Sequence, residues 1–241
     1  MMSINCIIIS SKNELQRTDN INQLKLNFET TIDIEAIYPK NIHVPFLNKL
    51  VQLSKLRTNK PLMASEIGVL LSHRKAWRYI IENETDKDKH YLILESDSHI
   101  NDSNSLKNMY NQIENNYDLF FWGAWEGNVS IYKSTQILQD NRYKIGEPFL
   151  KSVYCAYGYS LNIVAAKILL HKTKKISYPV DIFKQFINRL DLRIGAVIPE
   201  IICNNKNFDS TVRDSSFIKK MIHLLTIKLF SFRNDLITFF N

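Results

Sequence analysis

The stretch Tyr91-Leu-Ile-Leu-Glu-Ser-Asp-Ser98 decides how this chain reads. Its apolar part, residues 91–94, has the length and composition of a short buried strand. The strand runs into two carboxylates, Glu95 and Asp97, with one residue between them. Side chains alternate along a strand, so the two acids point to the same side wherever the extended geometry persists. In open α/β sheets, ligands sit outside the carboxyl ends of the strands. Two hard oxygen donors at that place suit Mg²⁺ or Mn²⁺ holding a diphosphate. The plainer reading is a strand that ends in surface acids, and the motif alone does not separate the two.

Working outward, Cys6-Ile-Ile-Ile-Ser10 reads as a first strand and residues 28–38 hold a second. Residues 11–27 are polar, as a loop and an exposed helix would be. A helix over 46–56 is broken by Pro61. Ser65 is the expected N-cap of a long helix, with Glu66 in its first turn where the helix dipole favours an acid. Ile67, Leu70, Leu71, Trp77, Ile80 and Ile81 form its apolar face. After the quoted stretch come a helix at 106–115, a strand at 118–122, an extended segment at 153–160, a helix at 161–172 and a last strand at 194–202. Strands alternating with helices predict an α/β sandwich with a mostly parallel sheet.

With 241 residues and 45% hydrophobic content, the chain is long and apolar enough for one large folded domain. No repeat or Pro/Gly-rich linker divides it before about residue 212, so 1–212 reads as one domain. Residues 213–241 differ: they carry Phe, Leu and Ile with Lys219, Lys220, His223, Lys228 and Arg233. This tail reads as a basic amphipathic helix, lying on a membrane surface or packed on the main domain. Cys6, Cys155 and Cys203 lack metal-ligand spacing and read as reduced thiols of a cytosolic protein. No secretory signal opens the chain, and no run reaches the roughly 18 apolar residues of a membrane span. The net charge of +7 favours anionic partners: nucleic acid, acidic lipid or a phosphorylated substrate.

Several constellations could carry chemistry. Glu66 and His73 lie seven apart on the long helix, with Ser72 beside them and Trp77 one turn on. They could hold a base, ribose or phosphate, or form a solvated helix edge with one satisfied histidine. Tyr154-Cys-Ala-Tyr-Gly-Tyr159 offers aromatic faces for a sugar around Gly158, which would let a ligand approach the backbone. It could equally be a strand whose tyrosines pack the core edge. Asp181 in Pro179-Val-Asp181 reads as a helix cap unless it faces the cleft of Asp97, and Trp122-Gly-Ala-Trp-Glu126 could place Glu126 near an acceptor. No P-loop, Gly-rich dinucleotide fingerprint or Ser/His/Asp order is present.

Taken in order, these pieces resemble glycosyltransferase family 25, the lipopolysaccharide-biosynthesis galactosyltransferase family. The matching pieces are Ile7-Ile-Ile-Ser10 with Arg17, then Ser65-Glu-Ile-Gly-Val-Leu-Leu-Ser-His73 with Trp77, then Leu94-Glu-Ser-Asp97. Asp118-Leu-Phe-Phe-Trp122, Tyr157-Gly-Tyr-Ser160, Ala166-Lys-Ile-Leu169 and Pro179-Val-Asp181 follow. Ser96 stands where the family has an acid, and Ser65 where it has glycine.

The resemblance implies a GT-A-like nucleotide-sugar-binding domain and transfer, with inversion, of a hexose such as galactose from a UDP-sugar. The acceptor would be a lipopolysaccharide, lipooligosaccharide or other cell-surface saccharide on a lipid carrier. It implies a divalent metal, Mn²⁺ or Mg²⁺, on Asp97 and Glu95. The catalytic base would be Asp181, with Glu126 as second choice. Arg17, Glu66, Gly68, Ser72, His73, Glu95, Tyr157 and Gly158 would line the donor pocket. The tail would hold the enzyme peripherally at the anionic cytoplasmic face of the inner membrane. Two other readings stand beside it. Ser96 favours a transferase-like binding protein without turnover; a nucleic-acid-binding module ranks last, because charges outside the tail are mixed.

Overall fold

The computed structural model describes residues 3–124, 127–139, 141–154, 156–205 and 208. The expected tail at 213–241, the boundary at 212, Glu126 and Cys155 lie outside the described residues. Among the described residues, ten strands and five α-helices follow one another: β1 Asn5–Ser10, α1 Thr18–Leu26, β2 Thr31–Glu35, α2 Val44–Thr58, α3 Ala64–Asn83, β3 Tyr91–Glu95 and β4 Ser98–Ile100. Then come α4 Ser103–Asn116, β5 Leu119–Phe121, β6 Ile137–Gln139, β7 Tyr143–Gly146, β8 Gly158–Leu161, α5 Ile163–Lys172, β9 Ile194–Ile198 and β10 Ile202–Asn204.

Eight strands form one sheet in the order β2-β1-β3-β8-β5-β9-β7-β6. Period-two alternation splits its side chains between two cores. Ile7, Ile9, Tyr91, Ile93, Phe121, Tyr159 and Leu161 face α3 and α5. Cys6, Ile8, Leu92, Leu94, Phe120 and Trp122 face α1 and α4. Both faces are therefore covered, which is why the strand at 91–94 is apolar throughout rather than alternating. Trp77 is wholly buried between α3 and the sheet, where truncation to alanine would cost about 3–5 kcal/mol.

The sheet is mixed, where the alternation of elements predicted a mostly parallel one. β1–β2, β1–β3 and β5–β9 are parallel. β3–β8, β5–β8, β6–β7 and β7–β9 are antiparallel. The connections explain this. β6 and β7 are joined by a short link, which forces an antiparallel pair. β8 is entered from the edge at which β5 ended, so it runs back between β3 and β5.

β1, β2, β3, β5 and β9 thus share one direction, and their carboxyl ends lie along one edge. There the chain leaves β3 through a turn at Ser96 and Asp97 into β4. β4 pairs with β10 in a separate two-stranded ribbon, Ser98 opposite Asn204. Two boundaries also differ from the sequence reading. Met63, not Ser65, caps α3, because Glu66 reaches back to accept the Met63 backbone N–H at 2.8 Å. α5 begins at Ile163 because Asn162 caps it, accepting from the backbone of Val164 and Ala165.

Candidate active site at the carboxyl edge of the sheet

The register of β1 on β3 pairs Ile9 with Glu95, so the segment after β1 lies beside the acidic end of β3. That segment brings Glu14 and Arg17. The extended geometry stops at Glu95, and the turn that follows is tied down from three sides. Asn20 donates to the carbonyls of Ser96 at 2.8 Å and Ser98 at 3.0 Å. The Asn205 backbone donates to the Asp97 carbonyl at 2.7 Å. The Ser98 hydroxyl donates to the Tyr157 carbonyl. A turn held this firmly presents the Asp97 side chain in one place.

Arg17 is the central charge. It is only 4% exposed, and its guanidinium donates to the Ser96 hydroxyl at 2.8 Å. It stands 3.3 Å from Asp97 Oδ2 and 3.4 Å from Glu14 Oε1. The Phe208 ring lies 5.6 Å from the guanidinium carbon. Glu14 also accepts from the Ser11 backbone and interacts with the Tyr38 hydroxyl, whose pKa burial and that carboxylate push up.

Asp97 is less well served. Its second oxygen, Oδ1, is buried and meets no hydrogen-bond donor among the described residues. Burial pushes its pKa up to about 6, with neighbouring Glu95 adding to the rise and Arg17 opposing it. A buried carboxylate oxygen without a donor is costly and is where a cation or a ligand proton would be welcome. Among the described residues, no group of three or more His, Cys, Asp or Glu side chains is placed to hold a metal ion. The carboxylates at this turn are Asp97 and Glu95, a candidate pair of oxygen donors. The pair fits a hard cation that brings its own phosphate and water oxygens, the usual way Mg²⁺ is held, and not one caged by protein alone.

Glu95 is partly buried and is anchored from behind. Its Oε1 lies 2.9 Å from His73 Nε2. His73 Nδ1 lies 2.8 Å from the Tyr159 hydroxyl, which accepts the Trp77 indole N–H at 2.9 Å. Phe183 packs edge-on against Tyr159 with centroids 5.3 Å apart. Asp181 stands half-buried two residues before Phe183, in the turn that begins this packing.

The expected donor-pocket residues thus fall into two sets. Arg17, Glu95 and Asp97 come together, with His73 wholly buried behind Glu95. Glu66, Gly68 and Ser72 make their contacts elsewhere. Glu66 caps α3, and the Ser72 hydroxyl accepts the Ile37 N–H at 2.8 Å while donating to the Gly68 carbonyl. A Cβ on Gly68 would collide with the Ile37 carbonyl oxygen, so this glycine lets the chain after β2 lie on α3. The space over Gly158 is filled by the Ile202 side chain, and the Tyr157 hydroxyl donates to Glu200 at 2.9 Å.

Sequence reasoning missed Glu14, Asn20, Ser96 as a partner of Arg17, and Tyr159. Tyr159 had a usable signal. Alternation along β8 puts it on the face covered by the helix that carries His73 and Trp77. The others come from loop closure and left no pattern in the sequence.

The model of glycosyltransferase family 25 (LPS biosynthesis protein) matches residues 3–184. That span includes β1, Arg17, α3, the turn at Ser96 and Asp97, β8 and Asp181. No curated protein matches the chain.

Proposed function

The chain belongs to glycosyltransferase family 25, and on that premise we propose that it transfers a hexose from a UDP-sugar to a cell-surface saccharide. The acceptor is a lipopolysaccharide, lipooligosaccharide or related glycan on a lipid carrier. The hexose is galactose, and transfer inverts the anomeric carbon. The observation that carries this reading is Asp97 at the carboxyl edge, with Oδ2 on Arg17, a buried Oδ1 without a donor, and Glu95 beside it.

Asp97 and Glu95 would hold Mn²⁺ or Mg²⁺ on the donor diphosphate. When bound, the metal neutralises charge on the departing UDP. Arg17, 3.3 Å from Asp97 Oδ2, adds positive charge beside the same carboxylate. A carboxylate across the cleft takes the proton from the acceptor hydroxyl as its oxygen bonds the anomeric carbon and the bond to UDP breaks. Asp181 is the first choice for this base and Glu126 the second. Tyr157 and Gly158 border the turn, while Glu66, Gly68 and Ser72 shape the wall of α3.

Among the described residues, no helix is long and apolar enough to cross a membrane. The reading places residues 1–212 at the cytoplasmic face of the inner membrane, held peripherally by the basic tail 213–241.

One observation favours a second reading, a transferase-like binding protein. Ser96 accepts a hydrogen bond from Arg17 where the family pattern has an acid, so the turn carries one carboxylate fewer. The same assay separates the two. UDP release from a panel of UDP-sugars is measured with Mn²⁺ and with EDTA, for wild type and Asp97→Asn. Metal-dependent turnover of one donor, lost in the variant, is expected. Metal-dependent UDP binding, with neither hydrolysis nor transfer across the panel and offered acceptors, would favour the binding protein.

A further inference from the structure

We propose that Trp77, Tyr159 and His73 form a positioning chain for Glu95, a one-way run of hydrogen bonds that starts in the core and ends on the carboxylate facing the donor. The direction follows from counting donors and acceptors. Trp77 Nε1–H can only donate, so Tyr159 oxygen accepts from it at 2.9 Å. Tyr159 is wholly buried, and burial pushes its pKa well up, so the hydroxyl keeps its proton. Among the described residues, the acceptor within reach of that proton is His73 Nδ1, at 2.8 Å.

His73 Nδ1 is therefore the acceptor nitrogen, and the ring carries its proton on Nε2. Nε2–H then donates to Glu95 Oε1 at 2.9 Å. The opposite tautomer would leave the Tyr159 proton without an acceptor in a dry core and turn a lone pair toward Glu95. Each of these faults leaves a buried polar group unsatisfied, so the network selects one state. His73 is 0% exposed and cannot touch a nucleotide in the cleft. What it can do is fix one oxygen of Glu95 and leave the other turned outward.

The direction of the chain stands on the hydrogen-bond geometry and on the Tyr159 hydroxyl keeping its proton; its purpose rests on the proposed reading of Glu95 as a donor-site carboxylate. The two are tested separately on the full chain. Histidine-¹⁵N NMR, with the His73 signal assigned by its loss in His73→Gln, is expected to show the Nε2–H tautomer in wild type. Tyr159→Phe is expected to keep that tautomer, which Glu95 still selects, and to shift the Nδ1 signal as this nitrogen loses its hydrogen-bond donor, with the fold retained by circular dichroism. An Nδ1–H wild type, or a Tyr159→Phe signal unchanged from wild type, overturns the chain.

Calorimetry with UDP and Mn²⁺ tests the purpose. His73→Leu is expected to weaken binding about tenfold or more, the usual scale for removing a partner of a metal-binding group. His73→Gln keeps a donor toward Glu95 and is expected to recover most of that loss. Equal binding by wild type, His73→Leu and His73→Gln would show that Glu95 needs no positioning. If wild type binds no UDP, the donor reading and the proposed purpose both fail, while the tautomer still decides the chain.

Discussion

Asp118 and Asp97 are carboxylates at opposite edges of one sheet, and their surroundings differ in every respect that matters. Asp118 precedes β5 at the amino edge. Its Oδ1 accepts from Asn162 at 2.9 Å and from Arg193 Nη2 at 2.8 Å. Its Oδ2 accepts from the Arg193 backbone at 2.9 Å and from Nε at 3.2 Å. These donors outweigh the cost of burial and hold its pKa below the usual carboxylate range. Asp97, at the carboxyl edge, has one long contact to Arg17, one oxygen without a donor, and a pKa raised to about 6. A chain able to satisfy one buried aspartate from four directions has left the other incomplete. The complete one joins β5, β8 and β9; the incomplete one marks the candidate ligand site.

The comparison breaks most visibly if Asp97 proves structural. Asp97→Asn is expected to lower metal-dependent UDP release by at least about 100-fold, the scale of losing a group that stabilises developing charge. Its unfolding free energy at pH 7 should stay level or rise, because an under-solvated charge is removed. A urea titration that showed Asp97→Asn several kcal/mol less stable would place Asp97 with Asp118.

Asp118→Ala is expected to do the reverse. It strips Arg193 and the Asn162 cap of their partner, at about 2–3 kcal/mol. UDP binding by the folded fraction should be unchanged. Weaker UDP binding at full folding would show that the two edges are coupled.

Acid sharpens the contrast through His90, also at the amino edge. Burial lowers its pKa to about 4, while its Nε2 donates to the Tyr117 carbonyl at 2.9 Å. The unfolded chain takes up this proton near pH 6.5 and the folded one does not. Stability is therefore full above about pH 6.5 and falls as the pH drops toward 4, by about 3 kcal/mol in all. His90→Gln should flatten that slope in unfolding curves at pH 7 and pH 5.

Asp97 has the opposite sign and gives the smallest effect. Its folded pKa lies above the unfolded value, so its ionisation destabilises the fold as the pH rises from about 4 through about 6. The stability difference between wild type and Asp97→Asn should narrow on acidification across that window. A difference that widened instead would mean Arg17 dominates the Asp97 carboxylate.

Much of the site was legible before the structure. The quoted strand with its acidic end and the histidine of α3 were marked by local patterns, because strand and helix periods fix which residues share a face. Other parts were not. Ser72 and Glu66 read as pocket residues because spacing places them on a helix without saying what packs there. In the fold one ties down Ile37 and the other caps α3. Gly158 read as room for a ligand, and Ile202, more than forty positions along the chain, takes that room. Sheet direction escaped for a similar reason: alternation of elements says nothing about the edge from which each strand is entered.

By itself the sequence determined the two-faced apolar strands, the amphipathic α3, the acidic end of β3 and the order of motifs that marks the family. These follow from residue periodicity and from short-range chemistry. Only the tertiary structure decided that Arg17 closes on Asp97, that Asp97 keeps an oxygen without a donor, and that Trp77, Tyr159 and His73 line up behind Glu95. Those facts depend on distances between residues far apart in the chain. They are settled when strand pairing and burial bring such groups into one dry place, where each must find a partner or stay open for a ligand.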